Sequence, residues 1–362
     1  MNKSLSNKIA NQKILGWILQ LLFDLFFFIV RKVSKLSPST SGKICIISIH
    51  KLGDSIFTFE AINSIKRYYN TDVFIICHYN AKDIYALVHP EKLIFPIQKE
   101  SFHFNDRYLS STARKLLSEL NPEIIIDLTG VMTSASLIFN SNAKKIIGMN
   151  RKIFRSIYDH FVEVNTNLIS KDIYNNAIKK FIPIIPFETL NKEINLEVSK
   201  ILIAPFAGWK SKEWGLGKFI RLAVKLKEHF DVEIVFDNTP ISNEIIDYLK
   251  INGIKFSSTP STKELIEKIK MSDLVIGNDS GPVQIAAFLG KKTFSIYGPT
   301  NPEFHKPRGE QNYYIQKQLL CSPKKNERLC FTDGGKSGCP SFECLNLLSV
   351  DEVYSYFKSE VL

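Results

Sequence analysis

Three short loops hold the residue types that could do chemistry. The first is "HKLGDS", residues 50–55. Gly53 suits a tight turn there, and Asp54 falls where a helix should begin. An aspartate at that place is an ordinary N-cap. It is also a carboxylate that a helix N-terminus keeps ionised, as a general base requires. The second loop is "AGWKSKEWG", 207–215, with Lys210 and Lys212 just past an apolar run. A lysine there is either an exposed surface charge or a mobile point charge for a phosphate. The third is "GNDSGPVQIAAFLGKKTFSIYGPTNP", 277–302. Its "DSGP" turn leads into a helix with Pro282 in the first turn. Small residues at Ser280 and Gly281 leave the amides of that helix start open to an anion. Asp279, if ionised, can only accept hydrogen bonds, so it would take a sugar hydroxyl or orient the turn. The stretch is neither a G-x-G-x-x-G fingerprint nor a Walker loop, and a plain strand-to-helix turn is the simpler reading of the spacing alone.

The elements that must hold these loops read as repeated strand–loop–helix units. "KICIISIH" (43–50), "DVFIICH" (72–78), "EIIIDLTG" (123–130) and "AKKIIGM" (143–149) are short apolar runs, as in strands covered on both faces. Helical patterns such as "SIFTFEAINSIKRYY" separate them, which predicts a parallel sheet with right-handed crossovers. A stretch of mixed polarity with two prolines, 182–200, marks a boundary. The pattern then restarts with "KILIAPF" (200–206), "DVEIVFD" (231–237) and "DLVIGND" (273–279). The expected fold class is α/β: two facing Rossmann-like doubly wound domains with a cleft at the strand C-termini, plus an N-terminal apolar helix. The expected divisions are an N-terminal helix and linker (1–42), a first domain (43–185), a second domain (186–348) and a C-terminal helix (349–362).

The chain has 362 residues, 44% of them hydrophobic and 23% charged, as in an ordinary globular protein of about two domains. A net charge of +11 suits nucleic acid, anionic lipid or phosphorylated substrates. No finger spacing or basic heptad helix is present, so nucleic acid is not expected. Residues 14–30, "ILGWILQLLFDLFFFIV", form a 17-residue apolar run followed by "RKVSK". As a helix it would be about 26 Å long, short for a bilayer core. Asp24 in its middle would cost roughly 2.5–3.5 kcal/mol to insert. Lys13, Gln20, Asp24 and Arg31 share one stripe at helical spacing. Such a helix can lie in a membrane interface, or pack on the protein with its polar stripe outward. Basic flanks favour an anionic cytoplasmic leaflet. No A-x-A cleavage pattern follows, so a cleavable signal peptide is not expected.

Of six cysteines, Cys45 and Cys77 fall in predicted buried strands. Cys321, Cys330, Cys339 and Cys344 are spaced C-x8-C-x8-C-x4-C. With no C-x2-C pair a zinc ribbon is not signalled. Reduced thiols in a stabilising loop are expected, and a loop-gathered four-thiolate metal site is the alternative.

Taken together, "KLGDSIFTFEAINSIKRYY", "APFAGWKSKEWGLGKFI" and above all "GNDSGPVQIAAFLGKKTFSIYGPTNP" resemble glycosyltransferase family 9, the heptosyltransferases of lipopolysaccharide assembly. The resemblance spans residues 43–355. It implies a GT-B fold and metal-independent transfer with inversion. No cofactor is implied, and the donor would be a nucleotide sugar, ADP-heptose, held by the second domain. It also implies a saccharide or lipid-linked acceptor of lipopolysaccharide-core type, met by the first domain. By this resemblance Asp54 matches the general base, and Lys212 the lysine at the donor phosphates. Asp279, Ser280 and Gly281 match the turn that receives the diphosphate, and Asp237, after the second strand of the second domain, approaches the nucleoside. Gln284 stands where the family usually has a histidine; it is expected at the donor without the positive charge. The enzyme would then be cytoplasmic, attached peripherally to the inner membrane face. The rival readings are the same fold with another nucleotide sugar or a protein acceptor, a catalytically silent nucleotide-sugar binder, and a sugar-nucleotide epimerase.

Overall fold

The computed structural model describes residues 21–22, 24–103, 108–150, 155–163, 168–186, 197–330, 339 and 341–362. The chain separates into two compact units. The first comprises Met1–His50, Thr58–Asn165 and Ile173–Ile185; the second comprises Lys51–Phe57, Thr166–Asp172 and Pro186–Leu362.

The first unit is built on six parallel strands: β1 (Ile44–Ser48), β2 (Val73–His78), β3 (Ile94–Ile97), β4 (Ile124–Asp127), β5 (Lys145–Asn150) and β6 (His160–Glu163). Their spatial order is β3-β2-β1-β4-β5-β6. Ile44 sits opposite Val73 on one side and Ile124 on the other. All five residues of β1 are buried, which is why the run is apolar without alternation. Cys45 and Cys77 are wholly buried core thiols, and burial pushes Cys77 up to about 12. The helix Ser111–Leu120 presents Ala113, Leu117 and Leu120 to this sheet, one stripe at helical spacing.

The expected helix over 14–30 lies partly outside the described residues; residues 24–34 are helical. Among the described residues no helix is long and apolar enough to cross a membrane. The orientation of this helix departs from the expectation for one packed on protein. Its two described stripe residues face inward: Arg31 is 4% exposed, and Asp24 accepts from Ser156 Oγ at 3.3 Å; Lys13 and Gln20 lie outside the described residues. Phe27, on the same side, is buried against the ring of Phe139. Leu22, Leu25, Phe26, Ile29 and Val33 are each about half exposed or more. Spacing decides which residues share a face, whereas partners decide which face turns in. Here Asp159 and Ser156 supply those partners.

The second unit repeats the plan with β7 (Lys200–Ala204), β8 (Asp231–Phe236), β9 (Lys255–Ser258), β10 (Leu274–Asn278), β11 (Lys292–Tyr297) and β12 (Asn312–Gln316). The order β9-β8-β7-β10-β11-β12, all parallel, is that of the first sheet. The amphipathic helix Leu216–Leu226 buries Phe219, Leu222, Ala223 and Leu226 in the core. Helix Val350–Tyr356 and the turn after it add Val353, Phe357 and Val361 to the same core. In each sheet the strand order reverses between the first and fourth strands. Ligands of such sheets bind beyond the strand C-termini at that point. In the second unit this is the space beyond Ala204 and Asn278.

Candidate active site

The two loops at this reversal point are the second and third loops picked out above. After β7 the chain runs through a 3-10 turn, Lys210–Lys212, to Trp214. After β10 it passes Asp279 and Ser280 into the helix Gly281–Phe288. Asn278, wholly buried, ties the loops together. Its Oδ1 accepts from Trp214 N at 2.9 Å, and its Nδ2 donates to Pro205 O at 2.7 Å. Trp214 is itself anchored by Nε1 donating to Leu348 O at 2.8 Å.

Lys212 and Asp279 meet in a buried ion pair. The Lys212 Nζ to Asp279 Oδ2 distance is 2.6 Å, with 15% and 7% of the side chains exposed. The same carboxylate oxygen accepts from Thr300 Oγ1 at 2.8 Å, and the ammonium lies 4.6 Å from the centre of the Trp209 ring. Burial alone would raise the Asp279 carboxyl. The charges of Lys212 and His305 and the hydrogen bonds from Lys212 and Thr300 outweigh it, so the carboxyl lies below its ordinary range. Lys210, by contrast, is exposed and pairs with Glu213 at 2.6 Å.

Ser280 is the N-cap residue, yet its hydroxyl donates back to Asn278 O at 3.2 Å and makes no cap bond. The first-turn amides are thus left without a side-chain cap, the arrangement that receives anions. Beside this helix runs the short helix Leu52–Phe57, which belongs to the same unit. Gly53 is helical here and makes no turn; its lack of a side chain serves close approach. A Cβ on Gly53 would stand 3.4 Å from Gln284 Cγ, and one on Gly281 would stand 2.9 Å from Leu52 Cβ. Asp54 is exposed in the first turn of that helix.

Gln284 is buried, and its Nε2 donates to the His305 carbonyl at 2.7 Å. Asp237 directly follows β8; it is exposed, and its Oδ1 accepts from Thr239 N at 2.8 Å. The reading of the sequence missed His305, Arg328 and Ser170. His305 Nδ1 lies 3.2 Å from Ser170 Oγ, which accepts from Arg328 Nη2 at 2.5 Å. Among the described residues, His305 Nε2 is buried with no hydrogen-bond partner. Burial, with Lys212 and Arg328 nearby, pushes the imidazole down to about 4 against the opposing pull of Asp279 and Asp54. The one local signal for this region is the "TNPEFH" helix start. Asn301 caps Glu303 N there, with Pro302 in the first turn.

The four C-terminal cysteines are free and half-buried. Burial, then the neighbouring Cys339, Cys330 and Cys321, pushes Cys344 up to about 11. Among the described residues, no three His, Cys, Asp or Glu side chains are disposed to hold a metal ion.

Two doubly wound units of identical strand order, each with a reversal point between its first and fourth strands, are the units of a GT-B fold. Solved structures share this fold. The family 9 glycosyltransferase of Veillonella parvula matches with a TM-score of 0.68 and 16% identity, covering 88% of this chain and 97% of that one. The E. coli ADP-heptose lipopolysaccharide heptosyltransferase II matches with a TM-score of 0.67 and 16% identity, covering 88% and 98%. In sequence, the chain is 25% identical over 290 residues to lipooligosaccharide heptosyltransferase 2 of Campylobacter jejuni, covering 75% of this chain and 87% of the relative. Residues 111–332, more than half of the chain, match the family model for glycosyltransferase family 9 (heptosyltransferase). The chain belongs to this family and is a glycosyltransferase.

Proposed function

We propose that the enzyme transfers a heptose from ADP-heptose to a saccharide acceptor of lipopolysaccharide-core type, with inversion and without a metal ion. The observation that carries this reading is the packing of Leu52–Phe57 along Gly281–Phe288 within one unit. It brings the chain segment of Asp54 to the helix start at Ser280–Gly281, beside the Lys212–Asp279 pair.

In this reading an acceptor hydroxyl gives its proton to Asp54 as its oxygen bonds to the anomeric carbon. The bond from that carbon to the diphosphate breaks on the opposite face, and the nucleoside diphosphate leaves. General-base assistance of this kind contributes about 10²–10⁴-fold. The leaving diphosphate gains charge, which the Lys212 ammonium and the open amides at 280–281 stabilise as it develops. Asp279 holds Lys212 in place and accepts a donor hydroxyl. Asp237 reaches the nucleoside from the end of β8, and Gln284 acts at the donor through His305. The first domain (43–185) receives the acceptor, and the second (186–348) binds the donor. The protein works on the cytoplasmic side, attached peripherally to the anionic inner membrane face by its N-terminal helix.

One observation favours a second donor. The Gln284 amide is used on the His305 carbonyl, so position 284 brings no cation to the phosphates, and another nucleotide sugar is the alternative. A panel of nucleotide sugars tested for nucleoside diphosphate release with acceptor extract decides. Release with ADP-heptose alone supports the first donor, and release with a different sugar nucleotide supports the second.

A further inference from the structure

Against the first unit, the helix over residues 24–34 borders a cleft of about 510 Å³. Lys32 and Arg155 line it together with Arg31, Lys35, Asp159 and Phe161. Four cationic side chains and one carboxylate leave the lining with a formal charge of +3. Asp159 engages Arg31 Nη2 at 2.6 Å and also Lys35. Even so, Arg31 Nε remains buried with no hydrogen-bond partner among the described residues. Lys32 and Arg155 are exposed and lie over the rings of Phe28 and Phe161, at 5.4 Å in each case. They form no ion pair among the described residues. Asp159 directly precedes β6 and accepts from Ile146 N at the start of β5 at 2.8 Å. The cleft therefore lies at the N-terminal end of the first sheet, away from the loops that follow its strands.

The helix beside the cleft is amphipathic the wrong way round for a soluble surface. Leu22, Leu25, Phe26, Ile29 and Val33 stand at i, i+3, i+4, i+7 and i+11 and are 50–61% exposed. Asp24 and Arg31 are turned into the protein. A continuous exposed apolar stripe marks an interaction surface. One flanked by basic side chains fits the interface of a bilayer.

We propose that this cleft binds the phosphate of an anionic phospholipid headgroup while the adjacent apolar stripe enters the acyl boundary of the same leaflet. Arg155 and Lys32 supply mobile charge at the mouth, and Arg31 Nε is a buried donor, unpartnered among the described residues, that can donate to a ligand oxygen. The inference rests on the peripheral attachment proposed above and adds headgroup selectivity to it. Each basic side chain near an anionic surface contributes roughly fivefold to vesicle affinity, so losing two lowers it roughly 25-fold.

The full-length protein is tested by flotation with vesicles of phosphatidylcholine alone and of phosphatidylcholine mixed with the anionic lipid phosphatidylglycerol. The wild type should prefer the anionic vesicles. Lys32→Gln with Arg155→Gln should lose roughly 25-fold on them and little on neutral ones. Leu25→Gln with Ile29→Gln should weaken both. Equal binding of the wild type to both vesicles, unchanged by the Gln pair, overturns the headgroup site and leaves attachment through the apolar stripe standing. No binding to either overturns both. Calorimetric binding of free glycerol phosphate without vesicle preference assigns the cleft to a soluble phosphate and overturns the proposal.

Discussion

The Lys212–Asp279 pair gives the sharpest test of how the donor loops are held. Removing one partner of a buried ion pair costs about 3–5 kcal/mol, because the other charge stays buried without compensation. Lys212 retains 15% of its side-chain exposure, so some water reaches the ammonium, and about 3 kcal/mol is expected for Asp279→Asn. Thr300 can still donate to the asparagine oxygen. Lys212→Met should cost a similar amount, since Asp279 keeps only Thr300 as a side-chain partner. The double variant buries neither charge, so it should cost less than either single variant, about 1 kcal/mol or below, against a sum of about 6. For a unit of this size each single variant lowers the melting temperature by roughly 6–12 °C. Urea unfolding followed by tryptophan emission reads this directly, because Trp209 and Trp214 belong to the Lys212 loop. A double variant whose cost equals the sum within about 0.5 kcal/mol would refute the pairing as the device that fixes the loop.

Two other outcomes follow from the same geometry. Gly281→Ala places a Cβ 2.9 Å from Leu52 Cβ and should cost about 1–3 kcal/mol by overpacking, with a fall in turnover as Asp54 is displaced. Gly217→Ala, where an added Cβ meets nothing within 4 Å, should stabilise by up to about 1 kcal/mol. Thermal melts and turnover of the two variants check the contrast. Stability should also fall on acidification. His89 and His305 are both pushed by burial down to about 4 from an ordinary 6.5. The unfolded chain therefore binds more protons between those values. The stabilisation is complete above about pH 6.5 and is lost as pH falls toward 4, on the order of 1–3 kcal/mol per imidazole. Denaturant titrations across that window should show the slope, and His305→Gln should remove about half of it.

How much of this was legible in the sequence depended on whether the signal was local. Continuous apolar runs such as "ICIIS" and "LVIGN" gave the parallel strands, because a strand covered on both faces has no reason to alternate. The "DSGP" turn and the Lys212 loop were visible because both follow directly on such runs. Asp54 was different: on spacing alone it was an N-cap, and only the family resemblance made it a base. His305, Ser170 and Arg328 come from segments up to about 160 residues apart, and no periodicity links them. Gln284 could be read as polar and near the donor. That its amide would go to a carbonyl 21 residues on depends on where the Pro302–His305 turn packs. The N-terminal helix shows the same limit in another form. Its two faces were readable, but which one turned inward was set by Asp159 and Ser156, far along the chain.

Asp54 is the proposed general base, and one measurement tests that role directly. Asp54→Asn keeps the shape of the side chain and removes its basicity. Single-turnover transfer from ADP-heptose to acceptor should fall by about 10²–10⁴-fold. ADP binding measured on the same preparation should stay within about twofold, because the proposed mechanism assigns the phosphate contacts to Lys212 and the 280–281 amides. Full turnover in the variant would contradict the assignment of Asp54 as the base. A parallel loss of ADP affinity would make its role structural.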